Sequence, residues 1–114
     1  MLNISFIRGD SFEKGFNLID SSTHEPILTQ FDDIYFTVKR ASTDRRFLLQ
    51  KKLSDGGIQS DGNGHYTIYI EPNDTDGMAF GEYVFDIEIK SSDFVKTFFG
   101  ELELLQEVTH CYNE

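Results

Sequence analysis

Tryptophan is absent from this sequence of 114 residues, which holds one cysteine and two prolines. A lone cysteine cannot close an internal disulfide, so Cys111 is expected to be an inert thiol in a polar C-terminal tail. Small domains of oxidising compartments usually carry paired cysteines, which favours synthesis in a reducing cytoplasm. Basic residues are scarce as well: ten Lys and Arg stand against twenty Asp and Glu, a net charge of −10. Nucleic-acid binding draws most of its affinity from cations that displace phosphate counterions, so DNA and RNA are not expected partners. The same repulsion acts against anionic lipid. No charged-then-apolar leader follows Met1, and no apolar run approaches the roughly 20 residues of a membrane span. Neither a signal peptide nor membrane insertion is expected.

A long helical period is also missing. The period that dominates is two, the signature of strands. Ile34, Phe36 and Val38 alternate with Tyr35, Thr37 and Lys39. Tyr66, Ile68 and Ile70 alternate with Thr67 and Tyr69. The clearest run sets Tyr83, Phe85, Ile87 and Ile89 against Val84, Asp86, Glu88 and Lys90. Each has one apolar face and one mostly polar face, as in antiparallel sheets wetted on one side. With 39% hydrophobic residues and eleven Phe, the chain has the material for a core and should fold as one domain.

Weaker strands surround these three. Asn3 to Arg8 and Ser11 to Asp20 read as a broken opening pair kinked at Gly9-Asp10, with Phe12, Phe16 and Leu18 facing one way. Phe47 to Leu53 reads as a middle strand, Gly57 to Ser60 as a short one, and Val95 to Leu105 as the last, with Phe98, Leu102 and Leu104 as core positions. The cations Arg45, Arg46, Lys51 and Lys52 read as the solvated face of the middle strand. Asp55-Gly56-Gly57 and Asp61-Gly62-Asn63-Gly64 supply residues that tolerate positive φ, as tight hairpins need, and Ser91-Ser92-Asp93 makes the last turn. The run Pro72 to Phe80 breaks the pattern and reads as a single helical turn crossing between sheets. Pro72 suits its first turn, Asp74 and Thr75 suit capping, and Met78 or Phe80 would plug the end of the core.

The fold expected is all-β: a two-sheet antiparallel sandwich of about seven to nine strands with one short helical crossover. Residues 1–109 form the domain and 110–114 a tail. Tyr83, placed just after the crossover at the start of a long strand, suits the corner tyrosine of immunoglobulin-like sandwiches, whose hydroxyl ties back to the preceding backbone. An ordinary half-buried strand tyrosine is the alternative.

Catalytic patterns do not assemble. His24, His65 and His110 lie in separate turns or tails without metal-ligand spacing, and no Gly-flanked nucleophile elbow is present. Asp32-Asp33 and Asp74 with Asp76 sit where caps and turns want Asp. The loop Asp61 to Gly64 lacks the spaced ligands and terminal Glu of a calcium site. Neither catalytic nor metal residues are expected, and no cofactor. Open sheet edges must be blunted or used, and Tyr35, Tyr69 and Val84 on the polar faces are the candidate docking residues.

Read in order, the chain shows Ile7-Arg8-Gly9-Asp10-Ser11-Phe12, Phe31-Asp32-Asp33-Ile34-Tyr35-Phe36-Thr37-Val38-Lys39, Gly57-Ile58, Gly64-His65-Tyr66-Thr67-Ile68 and Pro72-Asn73-Asp74-Thr75. It closes with Gly81-Glu82-Tyr83-Val84-Phe85-Asp86-Ile87-Glu88-Ile89, Lys96-Thr97-Phe98-Phe99-Gly100-Glu101-Leu102 and Val108-Thr109. This resembles the small immunoglobulin-like β-sandwich domains of phage and prophage tail modules, and is similar to the N-terminal domain of baseplate upper proteins. The resemblance implies a non-enzymatic virion structural protein of the tail or baseplate, made in the host cytoplasm. Its partners would be other virion and tail proteins, with self-association as a further route. Two other classes stay open. One is a carbohydrate-binding module using Tyr35 or Tyr69 as a stacking platform, and the other a small inhibitory or regulatory binding protein.

Overall fold

A computed structural model describes residues 2–19, 22–25, 31–62, 64–91 and 95–106. The chain runs β1 (Leu2–Ile7), β2 (Phe12–Asn17), β3 (Asp33–Lys39), β4 (Leu49–Lys52), β5 (Ile58–Ser60), β6 (His65–Ile70), α1 (Pro72–Thr75), β7 (Gly81–Lys90) and β8 (Val95–Leu105). Two sheets form: a five-stranded one in the order β1-β8-β7-β3-β4, and a three-stranded one in the order β2-β6-β5. The all-β expectation holds. The alternations bury their apolar members between the sheets, so Ile34, Phe36 and Val38 of β3 meet Ile68 and Ile70 of β6, Phe85 and Ile87 of β7, and Leu102 and Leu104 of β8 in one core. Burial of such side chains contributes roughly 1.5–3 kcal/mol each, which is what holds a fold with four helical residues together.

Pairing is not antiparallel throughout. β1 runs parallel to β8, Leu2 beside Gly100 and Ile7 beside Leu105, which corrects the all-antiparallel expectation. The cause lies in the turn after β1. Gly9, at φ +84°, and a hydrogen bond from the Asp10 amide to the Ile7 carbonyl (3.1 Å) send the chain into the other sheet. There β2 pairs with β6, so the expected opening pair is split between two sheets. Its two halves still touch, because the Phe6 and Phe12 rings stack at 4.4 Å.

The helical turn does cross between sheets, from β6 to β7, and it is anchored on three sides. Asp74 accepts from the Glu71 amide (2.7 Å) and closes a capping box with it. The Oδ2 of Asp74 also receives the Lys51 ammonium at 2.7 Å. Lys51 stands beside Phe36 on the inner side of β4, so it is not part of a solvated strand face. Arg45 and Arg46 precede β4 and lie in the β3–β4 loop, and the middle strand is shorter than Phe47 to Leu53. Buried Thr75 accepts from the Gly9 amide at 2.9 Å. Met78 is the buried plug, while Phe80 is exposed beneath the Arg8 guanidinium.

The β5–β6 hairpin closes with the Asp61 amide donating to the His65 carbonyl, Gly62 and Gly64 both at positive φ; Asn63 lies outside the described residues. β7 and β8 pair antiparallel over their whole lengths, with Ser92 and Asp93 of their turn also outside the described residues. The hydroxyl of buried Tyr83 donates to the Ala79 carbonyl at 2.5 Å, tying β7 back to the crossover as a corner tyrosine would.

Candidate docking surface

Register places the polar members of each alternation in rows on the outer face of the larger sheet. One row reads Lys52, Tyr35, Glu88, Thr97; the next reads Gln50, Thr37, Asp86, Phe99; a third sets Lys39 beside Val84 and Glu101. Tyr35 and Val84 therefore share this face. Tyr69, beside Glu13 on β6, lies on the outer face of the other sheet, so the three residues picked from sequence are not brought together. All three are half-buried by their neighbours.

Tyr35 is not a bare aromatic platform. The Lys52 and Lys90 ammonium groups sit 5.7 and 5.0 Å from its ring centroid, within cation–π range. Lys90 also approaches Glu88 at 3.7 Å, and Gln50 donates to the Thr37 hydroxyl at 3.1 Å. Burial raises the Asp86 carboxyl above its ordinary range, the Glu88 charge adds to the rise, and Lys39 partly offsets it.

Exposed apolar side chains that the sequence reading passed over gather on β8, while Ile19 after β2 and Phe47 and Leu48 before β4 are exposed elsewhere. Pairing with β1 begins only at Gly100. From Val95 to Phe99 the strand pairs with β7 on one side, and among the described residues no strand pairs with it on the other. Val95 and Phe99 point outward and are 58% and 64% exposed. Phe98 points inward but is 38% exposed, which corrects its placement in the core. Inward direction buries a side chain only where a second layer and a lateral neighbour cover it. A sequence signal was available: Val95, Phe98 and Phe99 interrupt the alternation that Leu102 and Leu104 keep.

Three other edge strands are blunted in ways that discourage pairing, while β1, the remaining edge of the larger sheet, pairs with β8 alone among the described residues. β4 turns Lys51 inward, β5 has three residues, and β2 carries Glu13, Lys14 and Gly15. A separate polar groove of about 690 Å³ runs where β4 and β5 approach, lined among others by Glu13, Gln50, Gln59, Tyr69 and Glu71. Among the described residues no group of three or more His, Cys, Asp and Glu gathers as a metal site would require, and no helix is long and apolar enough to cross a membrane.

No protein-family model matches the chain, and no curated protein matches it. Among solved structures it is similar to the endo-β-1,4-mannanase from Thermotoga petrophila, at 14% identity and a TM-score of 0.60. The likeness covers 92% of this chain and 18% of the mannanase, so the chain spans less than a fifth of that enzyme's length. At this identity the likeness is one of fold.

Proposed function

We propose that this chain is a non-enzymatic docking module with an immunoglobulin-like sandwich fold, serving as a structural component of a phage or prophage tail or baseplate. The observation that carries the docking role is the half-open edge of β8, where unpaired backbone and three exposed apolar side chains adjoin one another. An exposed strand edge of this kind accepts a further strand through main-chain hydrogen bonds, with side-chain contacts supplying specificity. Tyr83, tied to the Ala79 carbonyl across the crossover, supports the immunoglobulin-like reading. The ordered sequence resemblance supports the tail setting. Mass spectrometry of purified particles tests it: the protein should be present in intact tails, and its absence from tails despite production during infection would remove the structural role.

A second reading, saccharide binding, has one specific observation in its favour. Tyr69 lines the polar groove with Gln50, Gln59, Glu13 and Glu71, a set of planar hydrogen-bonding groups around one aromatic ring. Tyr35, with two ammonium groups against its ring, is the poorer platform. A glycan-array signal abolished by Tyr69→Ala and kept by Tyr35→Ala would favour this reading over the first.

A further inference from the structure

The open half of β8 has a pattern that fits itself. Its five residues, Val95-Lys96-Thr97-Phe98-Phe99, carry one charge and no carboxylate in a protein of net charge −10. Laid antiparallel against an identical strand about Thr97, the segment sets Val95 opposite Phe99, Thr97 opposite Thr97, and Lys96 opposite Phe98. Apolar meets apolar on the outer face, and the single cation meets an aromatic ring on the inner one. Within one chain Lys96 already makes that kind of contact, its ammonium lying 5.8 Å from the Phe98 centroid. Cross-strand pairs of these types are each worth about 0.2–1 kcal/mol. A register centred on Lys96 would oppose two ammonium groups, and one centred on Phe98 would run Lys96 and Val95 into the part of the edge that β1 occupies, so Thr97 is the centre.

We infer that the protein self-associates through two-fold antiparallel pairing of β8 with β8 of a second copy, centred on Thr97. This rests on the reading of the β8 edge as a docking surface. It adds the partner's identity and joins two five-stranded sheets into one. The pairing stops at Gly100, where β1 takes over the edge, so the contact is five residues long on each copy. So short an interface falls in the weak, transient class. Within the paired stretch no carboxylate opposes it, and Glu101, on the same face of β8, lies two residues beyond Phe99, outside that stretch. Asp86 and Glu88 lie on β7, one strand inward from the edge in each copy. Two such rows are three strand spacings apart, roughly 14 Å, which is more than a Debye length at physiological ionic strength. What remains is long-range repulsion between two acidic molecules, which salt screens.

Sedimentation velocity over a concentration series tests this. The expected result is a monomer at low concentration moving toward a dimer at high concentration, with added sodium chloride tightening the association. Phe99→Glu, at an exposed position, should weaken it by about tenfold or more, because each introduced carboxylate replaces the ring that packs on Val95 of the other copy and would be desolvated there without a cation. Combining Phe99→Glu with Val95→Lys should restore it, since the introduced charges face each other across the two-fold. A monomer at every concentration, or association indifferent to Phe99→Glu, overturns the inference, as does a double variant no better than Phe99→Glu alone. Circular dichroism of each variant establishes that it is folded. A monomeric protein still found in purified tails would sink the self-pairing and leave the tail role standing. A β8-dependent dimer absent from tails would do the reverse.

Discussion

The two halves of β8 have the same strand geometry and the same neighbour β7, yet they live in different surroundings. Between β1 and β7, Leu102 and Leu104 are each 1% exposed. Four residues before Leu102, beyond the end of β1, Phe98 points to the same side of the sheet and stays open to water. Side-chain direction is a property of the strand, whereas burial is a property of what lies beside and above it. A single missing neighbour leaves side chains of the core-facing side open to water.

Substitutions can break this contrast or sharpen it. The largest effect is expected at Phe85, which faces Gly100 at the junction of the two halves and packs against Phe36 at 5.4 Å. Phe85→Ala should cost about 3–5 kcal/mol through lost burial and a residual cavity. Glu88→Ala, on the outer face beside Thr97, should change stability by no more than about 0.5 kcal/mol. Denaturant midpoints of the pair report the register, and equal losses would mean a slip by one residue.

Within β8 itself, Leu102→Ala should cost about 2–5 kcal/mol and Phe98→Ala less than about 1 kcal/mol. Similar losses at the two sites in urea titrations would show that something covers the open half. A smaller effect is expected from Tyr83→Phe. Tyr83 stands beside Leu102 in the closed half, and removing its hydroxyl leaves the Ala79 carbonyl without that donor, a loss of about 0.5–1.5 kcal/mol. Thermal melting of this variant measures how firmly the crossover holds the closed half.

The smallest effect is set by pH on the open half, where Asp86 faces Phe99. Its carboxyl is raised in the folded state by burial and by Glu88. The folded protein therefore holds this proton more tightly than the unfolded chain, and stability falls as pH rises from the unfolded to the folded pKa. Asp86→Asn should raise the melting temperature slightly at neutral pH, with the gain vanishing below the ordinary carboxylate range. A gain that persisted in strong acid would mean that charge is not the cause.

How far the sequence foretold this structure depends on which physical term decided each element. β3, β6 and β7 were legible because alternation alone specifies a strand with one dry face, and the core positions Phe36, Val38, Ile68, Phe85, Ile87 and Leu102 are all buried. β8 was legible to its ends. The helical turn at Pro72 was legible because proline and the Asp74 carboxylate act locally, whereas Thr75, expected as a cap, is buried and accepts from the Gly9 amide, and the N-cap is Glu71. The parallel partner of β1 was not, since periodicity carries neither strand direction nor partner. Lys51 was misread because its position, inward and bridged to Asp74, depends on a residue on a distant turn. Tyr35, Tyr69 and Val84 were chosen for standing on polar faces, but cross-strand neighbours half-bury all three, while Val95 and Phe99 on β8 stay more open.

The parallel pairing of β1 with β8 bears on how the protein is made. Leu2 finds its place only beside Gly100, almost the whole length of the chain away. During synthesis the first strand leaves the ribosome long before its partner exists, so this sheet cannot close until β8 has emerged. Contacts so distant in sequence slow folding, because the loop entropy must be spent before they form. In the interval β1 exposes Ile4 and Phe6, two side chains that end up buried. A nascent chain halted anywhere before β8 would carry that apolar strand unpaired, which makes premature termination a route to aggregation and gives chaperones a defined target.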